Sequence, residues 1–118
     1  GDRILVSKSF YDQVYISTPS FIVYSLTKNP KTRENFLKCL EDDSECEKMI
    51  VTIALSVLLA DLAILRRERG IPEPDFLVFS RDYVDRLGEV SVALVNAVPE
   101  EKRRLIEGLK EAVRVIIK

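Results

Sequence analysis

The sequence predicts an all-α domain of five or six helices, a bundle or array built around a long central helix over about residues 45–69. Three observations carry this. Residues 49–65 read Met-Ile-Val-Thr-Ile-Ala-Leu-Ser-Val-Leu-Leu-Ala-Asp-Leu-Ala-Ile-Leu, with Asp61 as their single charge. A helix that is apolar on nearly every side needs neighbours on nearly every side. Apolar residues also recur at helical spacing through most of the remainder, most plainly as the stripe Leu105, Ile106, Leu109, Val113, Ile116 and Ile117. Finally, prolines and glycines punctuate the chain at helix-length intervals, so the connections are short.

The elements follow in order. Residues 3–16 fit two readings. Val6, Phe10 and Val14 recur every four residues as on a helix face, whereas Ile4, Leu5 and Val6, and again Val14, Tyr15 and Ile16, make good strand fragments. The helical reading is preferred. Ser17, Thr18 and Pro19 read as a helix start, with Thr18 as cap and Pro19 at the first helical position, where its missing N–H costs nothing. Phe21, Ile22, Tyr24 and Leu26 continue it. Pro30 disfavours helical geometry at Asn29, so the helix breaks there. A new turn opens at Asn29 or Thr32 and carries Phe36, Leu37 and Leu40. Residues 21–40 are therefore two short helices or one kinked helix.

Glu41, Asp42 and Asp43 form the connection to the central helix. Ser44 and Glu47 match a capping box, in which each side chain satisfies the other's backbone N–H. Acids crowd the positive end of the helix dipole, Arg66, Arg67 and Arg69 sit at the negative end, and Gly70 supplies the C-terminal cap. At ~1.5 Å per residue the helix is about 37 Å long. Ile71, Pro72, Glu73 and Pro74 read as a rigid link. Asp75 opens the next helical pattern through Phe76, Phe79, Tyr83, Leu87, Val90 and Leu94, with Gly88 as a point of bending. Val98 and Pro99 end it and begin the last helix, whose wet side carries Glu100, Arg103, Arg104, Glu107, Lys110 and Glu111. With no internal repeat or low-complexity tract, residues 1–118 read as one all-helical domain.

Composition bounds the function. A chain 47% hydrophobic and 31% charged is globular. A net charge of −1 exerts no bulk pull on nucleic acid or an anionic membrane. The charge is uneven, with local balances of +3 over residues 1–40, −4 over 41–50, −3 over 71–90 and +2 over 91–118, as solvated helix faces also produce. The absence of His excludes histidine catalysis. Scarce thermolabile residues, with one Met and no Trp, point to a thermophile. Residues 2–16 are too polar for a signal peptide. The run over 49–65 is shorter than the ~20 residues of a span, and Asp61 would cost ~2.5–3.5 kcal/mol near a bilayer centre. The expectation is a soluble, cytoplasmic chain without a membrane partner, and a first residue of Gly1 suggests a tag remnant or an excised piece.

Six features are candidate sites. Asp61 shares a face with Ile50, Ala54, Val57, Leu58 and Leu65, so it is either ion-paired or at a seam. The other face of that helix carries Thr52, Ser56, Ala60 and Ala63, small residues that admit another backbone, either from within the chain or from a second copy. Cys39 and Cys46 flank the acidic turn and come within reach of a disulfide, but two cysteines without His do not make a zinc site. Arg66, Arg67 and Arg69 with Lys102, Arg103 and Arg104 are the basic clusters available to phosphate. Tyr11, Tyr15 and Tyr24 are candidates to stack on bases, though aromatics on helix faces are far more often core or rim. Asp82 and Asp85 are the nearest approach to an acidic pair. No Gly-rich phosphate loop and no convincing helix-turn-helix is present.

No catalytic set, metal site or cofactor motif emerges. The expected function is a non-catalytic protein–protein assembly subunit, homodimeric through Thr52, Ser56, Ala60, Asp61 and Ala63. The alternative is a nucleic-acid-binding accessory subunit using the two basic clusters, with a cryptic enzyme using Asp61 or Asp82 and Asp85 as a third.

Overall fold

A computed structural model describes residues 8–70 and 81–117, the side chain of Arg66 excepted. They form five α-helices: α1 (Lys8–Lys28), α2 (Arg33–Glu41), α3 (Asp43–Glu68), α4 (Arg81–Ala97) and α5 (Pro99–Ile117), with a 3₁₀ turn at Pro30–Thr32. The fold is all-α, with α3 at its centre, where it touches each of the other four helices. The part of the first segment over residues 3–7, the link over 71–74, and Asp75, Phe76 and Phe79 lie outside the described residues.

The helical reading of the first segment holds from Lys8 onward, but the expected helix start at Thr18 and Pro19 is wrong. α1 runs unbroken through both. Instead of capping forward, the Thr18 hydroxyl donates back to the Val14 carbonyl at 2.8 Å. Local capping chemistry lost to burial, because Phe10, Tyr11, Val14, Thr18 and Ile22 form one continuous inward stripe across the proline. The break at Asn29 is as expected. Asn29 is extended (φ −148°, ψ 95°), and its side chain accepts from the Lys31 amide at 3.1 Å.

The start of α3 also needs correction. The cap is Asp42, not Ser44, and α3 begins at Asp43. The Asp42 carboxylate accepts from the Ser44 amide (2.9 Å) and the Ser44 hydroxyl (2.8 Å), which together hold it below the usual carboxylate pKa. Glu47 does not reach back to Ser44. Its carboxylate meets the Lys102 ammonium of α5 at 2.7 Å, so a partner from another helix outbid the capping box. At the other end Gly70 has φ +68°, the left-handed conformation that suits glycine after a helix.

The core is contributed by all five helices. Tyr11, Val14 and Ile22 of α1, Phe36 of α2, Ile50, Ile53 and Ala54 of α3, Val95 of α4, and Leu105, Leu109 and Val113 of α5 are among its buried members. The Tyr11 hydroxyl donates to the Leu94 carbonyl at 2.7 Å, satisfying a backbone acceptor in the last turn of α4. Burial, helped by Glu101, pushes the Tyr11 phenol up and keeps it neutral. Around the core, Arg104 binds Asp12 (2.8 Å) and Glu101 (3.1 Å), and Lys110 meets Asp43, so α5 is tied to both α1 and α3. Such partly exposed pairs orient helices more than they stabilise them.

Two glycines with the same helical setting should respond oppositely to alanine. At Gly88 a methyl group meets nothing within 4 Å, so Gly88→Ala should stabilise by about 0.5–1 kcal/mol. At Gly108 it would lie 2.3 Å from Tyr15 Cε2, where α5 presses on α1. The Tyr15 ring, 42% exposed, can swing away only by leaving the Arg104 guanidinium 4.7 Å from its centroid. Gly108→Ala should therefore destabilise by about 1 kcal/mol net. A thermal melt of the Tyr15→Ala, Gly108→Ala double variant checks the cause, since it should regain the loss that the Gly108 change adds.

Candidate functional site

α3 is well covered only in its first half. Cys46, Ile50, Ile53, Ala54 and Val57 are buried, but beyond Val57 the helix is at best half-buried, and Ile64 is 53% exposed. By length and composition, Asp43–Leu65 is the one stretch among the described residues that could cross a membrane, with mean hydropathy 2.2. Only 22% of that apolar window is buried, so it is not sealed by the described helices.

The uncovered half forms one wall of a groove of about 410 Å³. Ser56, Ala60, Asp61 and Ile64 come from α3, and Gln13, Ile16, Ser17 and Phe21 from α1. Ile16, 73% exposed, stands at this groove as an apolar projection. The sequence reading set Asp61 and the small-residue stripe on different faces, whereas the structure brings Ser56, Ala60 and Asp61 to the same groove. Asp61 is exposed, with no ionic partner among the described residues, so it carries no burial cost.

Of the stripe, Thr52, Ser56 and Ala60 are exposed and Ala63 is half-buried. No described helix packs tightly on it. The Thr52 hydroxyl donates to the Lys48 carbonyl and the Ser56 hydroxyl to the Thr52 carbonyl, both at 3.1 Å. With their hydroxyls turned onto their own helix, these residues offer a smooth surface with little need for external hydrogen bonds.

The basic residues are differently placed. Lys102 is held by Glu47 and by the Asn96 side chain, each at 2.7 Å, and Arg104 is held by Asp12 and Glu101, which push its pKa further up. Arg103 is exposed on α5, and Arg67 and Arg69 are exposed at the last turns of α3. Two of the three cations of the second cluster, Lys102 and Arg104, are thus engaged by carboxylates. Tyr11 is core, Tyr15 lies under Arg104, and Tyr24 is exposed beside Lys28, whose ammonium stands 5.7 Å from the ring centroid. Asp82 and Asp85 are exposed on α4. Among the described residues, no three His, Cys, Asp or Glu side chains gather so as to hold a metal ion.

The α1 wall was missed from sequence. Its signal was present: residues 13–27 contain no charge at all, in a chain that is 31% charged. Comparison with known proteins finds no matching family model, no similar curated protein and no similar solved structure.

Proposed function

We propose that this chain is a non-catalytic assembly subunit that pairs with a second copy of itself through the α1–α3 face. The observation that carries this reading is a groove with one charge, Asp61, beside an apolar helix that the described helices leave unsealed. Across 13–27 of α1 and 49–65 of α3, Asp61 is the single charge. A two-fold axis sets a patch against itself, so a charged patch would oppose like charges. This face has almost nothing to repel. The small residues Thr52, Ser56 and Ala60 admit a close helix, and Ile16 and Ile64 supply projections beside the depression. Scarce Met, Gln and Asn among abundant Lys, Arg and Glu support a thermophilic source, and the subunit is assigned to the cytoplasm there.

Light scattering on a sizing column tests this. The expected mass is twice the 13.5 kDa of the chain, and unchanged by salt because the contact is apolar. Ala60→Trp, at an exposed position, should give a folded monomer with unaltered helical circular dichroism. A wild-type monomer at micromolar concentration would overturn the reading. Co-sedimentation of that monomer with neutral lipid vesicles would assign the face to a bilayer instead.

A further inference from the structure

We infer that the bond joining Cys39 and Cys46 is a permanent structural clamp, and that the chain folds in the presence of a thiol oxidant. The two cysteines are the only ones in the sequence, so within one chain the pairing has no rival. They are bonded across the α2–α3 corner with their α-carbons 4.5 Å apart, inside the normal range for such bridges. Both are fully buried in the core cluster. The bond encloses Asp42, whose amide donates to the Lys38 carbonyl (3.0 Å) and whose carboxylate caps α3, so bond and cap secure the same corner.

α2 needs such help. Its nine residues fall short of the ~12–15 at which an isolated helix becomes even marginally stable, and Phe36 and Cys39 are its only buried side chains. The Phe36 ring meets Phe21 of α1 edge-on at 6.5 Å, so losing α2 would also uncover α1. A switch would need sulfur atoms that reductant can reach or a third cysteine to resolve the bond, and this chain offers neither. Neither cysteine lines the α1–α3 groove, so the inference does not rest on the pairing proposed above.

Closure is thiol–disulfide exchange. Two protein thiols and one small-molecule or oxidoreductase disulfide become one protein disulfide and two thiols of the donor. The donor thereby takes up both hydrogens and the electron pair. Because the sulfurs end up buried, exchange precedes the final packing of α2. Mesophile cytosols hold protein thiols reduced, so the setting is either an oxidising compartment or the interior of a hyperthermophile. The cytoplasmic expectation survives only in the second.

The test refolds the full reduced chain in two ways, with a mixed glutathione couple and with excess reductant. Alkylation in denaturant followed by mass measurement counts free thiols. The couple should yield none, and the oxidised protein should melt on the order of 10 °C above the reduced one. The Cys39→Ala, Cys46→Ala double variant should melt with the reduced form. Two free thiols after refolding with the couple, or equal midpoints for oxidised and reduced protein, would overturn the clamp.

Discussion

Replacing Pro19 with alanine should stabilise this protein by about 2 kcal/mol and raise its melting midpoint by roughly 5–10 °C. Pro19 stands in the middle of the 21-residue α1. There it has no N–H to give the Tyr15 carbonyl one turn back, and its ring crowds that carbonyl, which together cost ~3 kcal/mol in a helix interior. Alanine restores the donor and removes the ring. Part of the gain is returned, since proline also restricts the unfolded chain by about 0.4–1 kcal/mol. Pro19 is exposed, so no core contact is lost. Urea denaturation at matched slope measures the difference. A destabilised Pro19→Ala variant would mean that Pro19 itself helps to seat Tyr15, one turn before it, against Gly108.

Leu109→Ala should cost about 2–5 kcal/mol, the largest loss expected from any truncation discussed for this chain. Leu109 is fully buried on α5, the helix that touches α1, α2, α3 and α4. Removing it opens a cavity in the core that α5 shares with its neighbours, and close-packed helices relax only in part. Ile116, one and a half to two turns further on, is only partly buried against the core. Ile116→Ala should therefore cost less than half as much. Equal losses at the two positions by urea denaturation would show that α5 does not pack as described.

How far the sequence could be read depended on how local each cause was. The stripe Leu105, Leu109 and Val113 was legible because helical periodicity and burial make the same demand on those positions. Gly70 and the break before Pro30 were legible because each follows from backbone sterics within a few residues. The capping assignments at Thr18 and Ser44 failed where another partner was worth more than the expected hydrogen bond. In α1 that partner was the core, reached by Val14 and Ile22 on either side of Pro19. In α3 Asp42 took the cap by binding the Ser44 amide and hydroxyl, and Lys102 of α5 took Glu47. The groove was half legible. Its α3 wall announced itself as a run of apolar and small residues, whereas nothing local to α1 says which of its uncharged positions will face α3.

By itself the sequence determined that this chain is helical, where its longest helix lies, and which stripe of its last helix is dry. These are properties of hydrophobic spacing and backbone geometry, and they act over one or two turns. Only the tertiary structure decided that the described helices cover α3 along its first half more than its second, that Ser56, Ala60 and Asp61 meet Ile16 and Phe21 across one groove, and that Lys102 and Arg104 are engaged by carboxylates. The physical reason is that exposure and pairing belong to how helices are arranged in space. A sequence pattern states that a surface is apolar or charged, and the crossing of its neighbours determines whether anything is left to cover it.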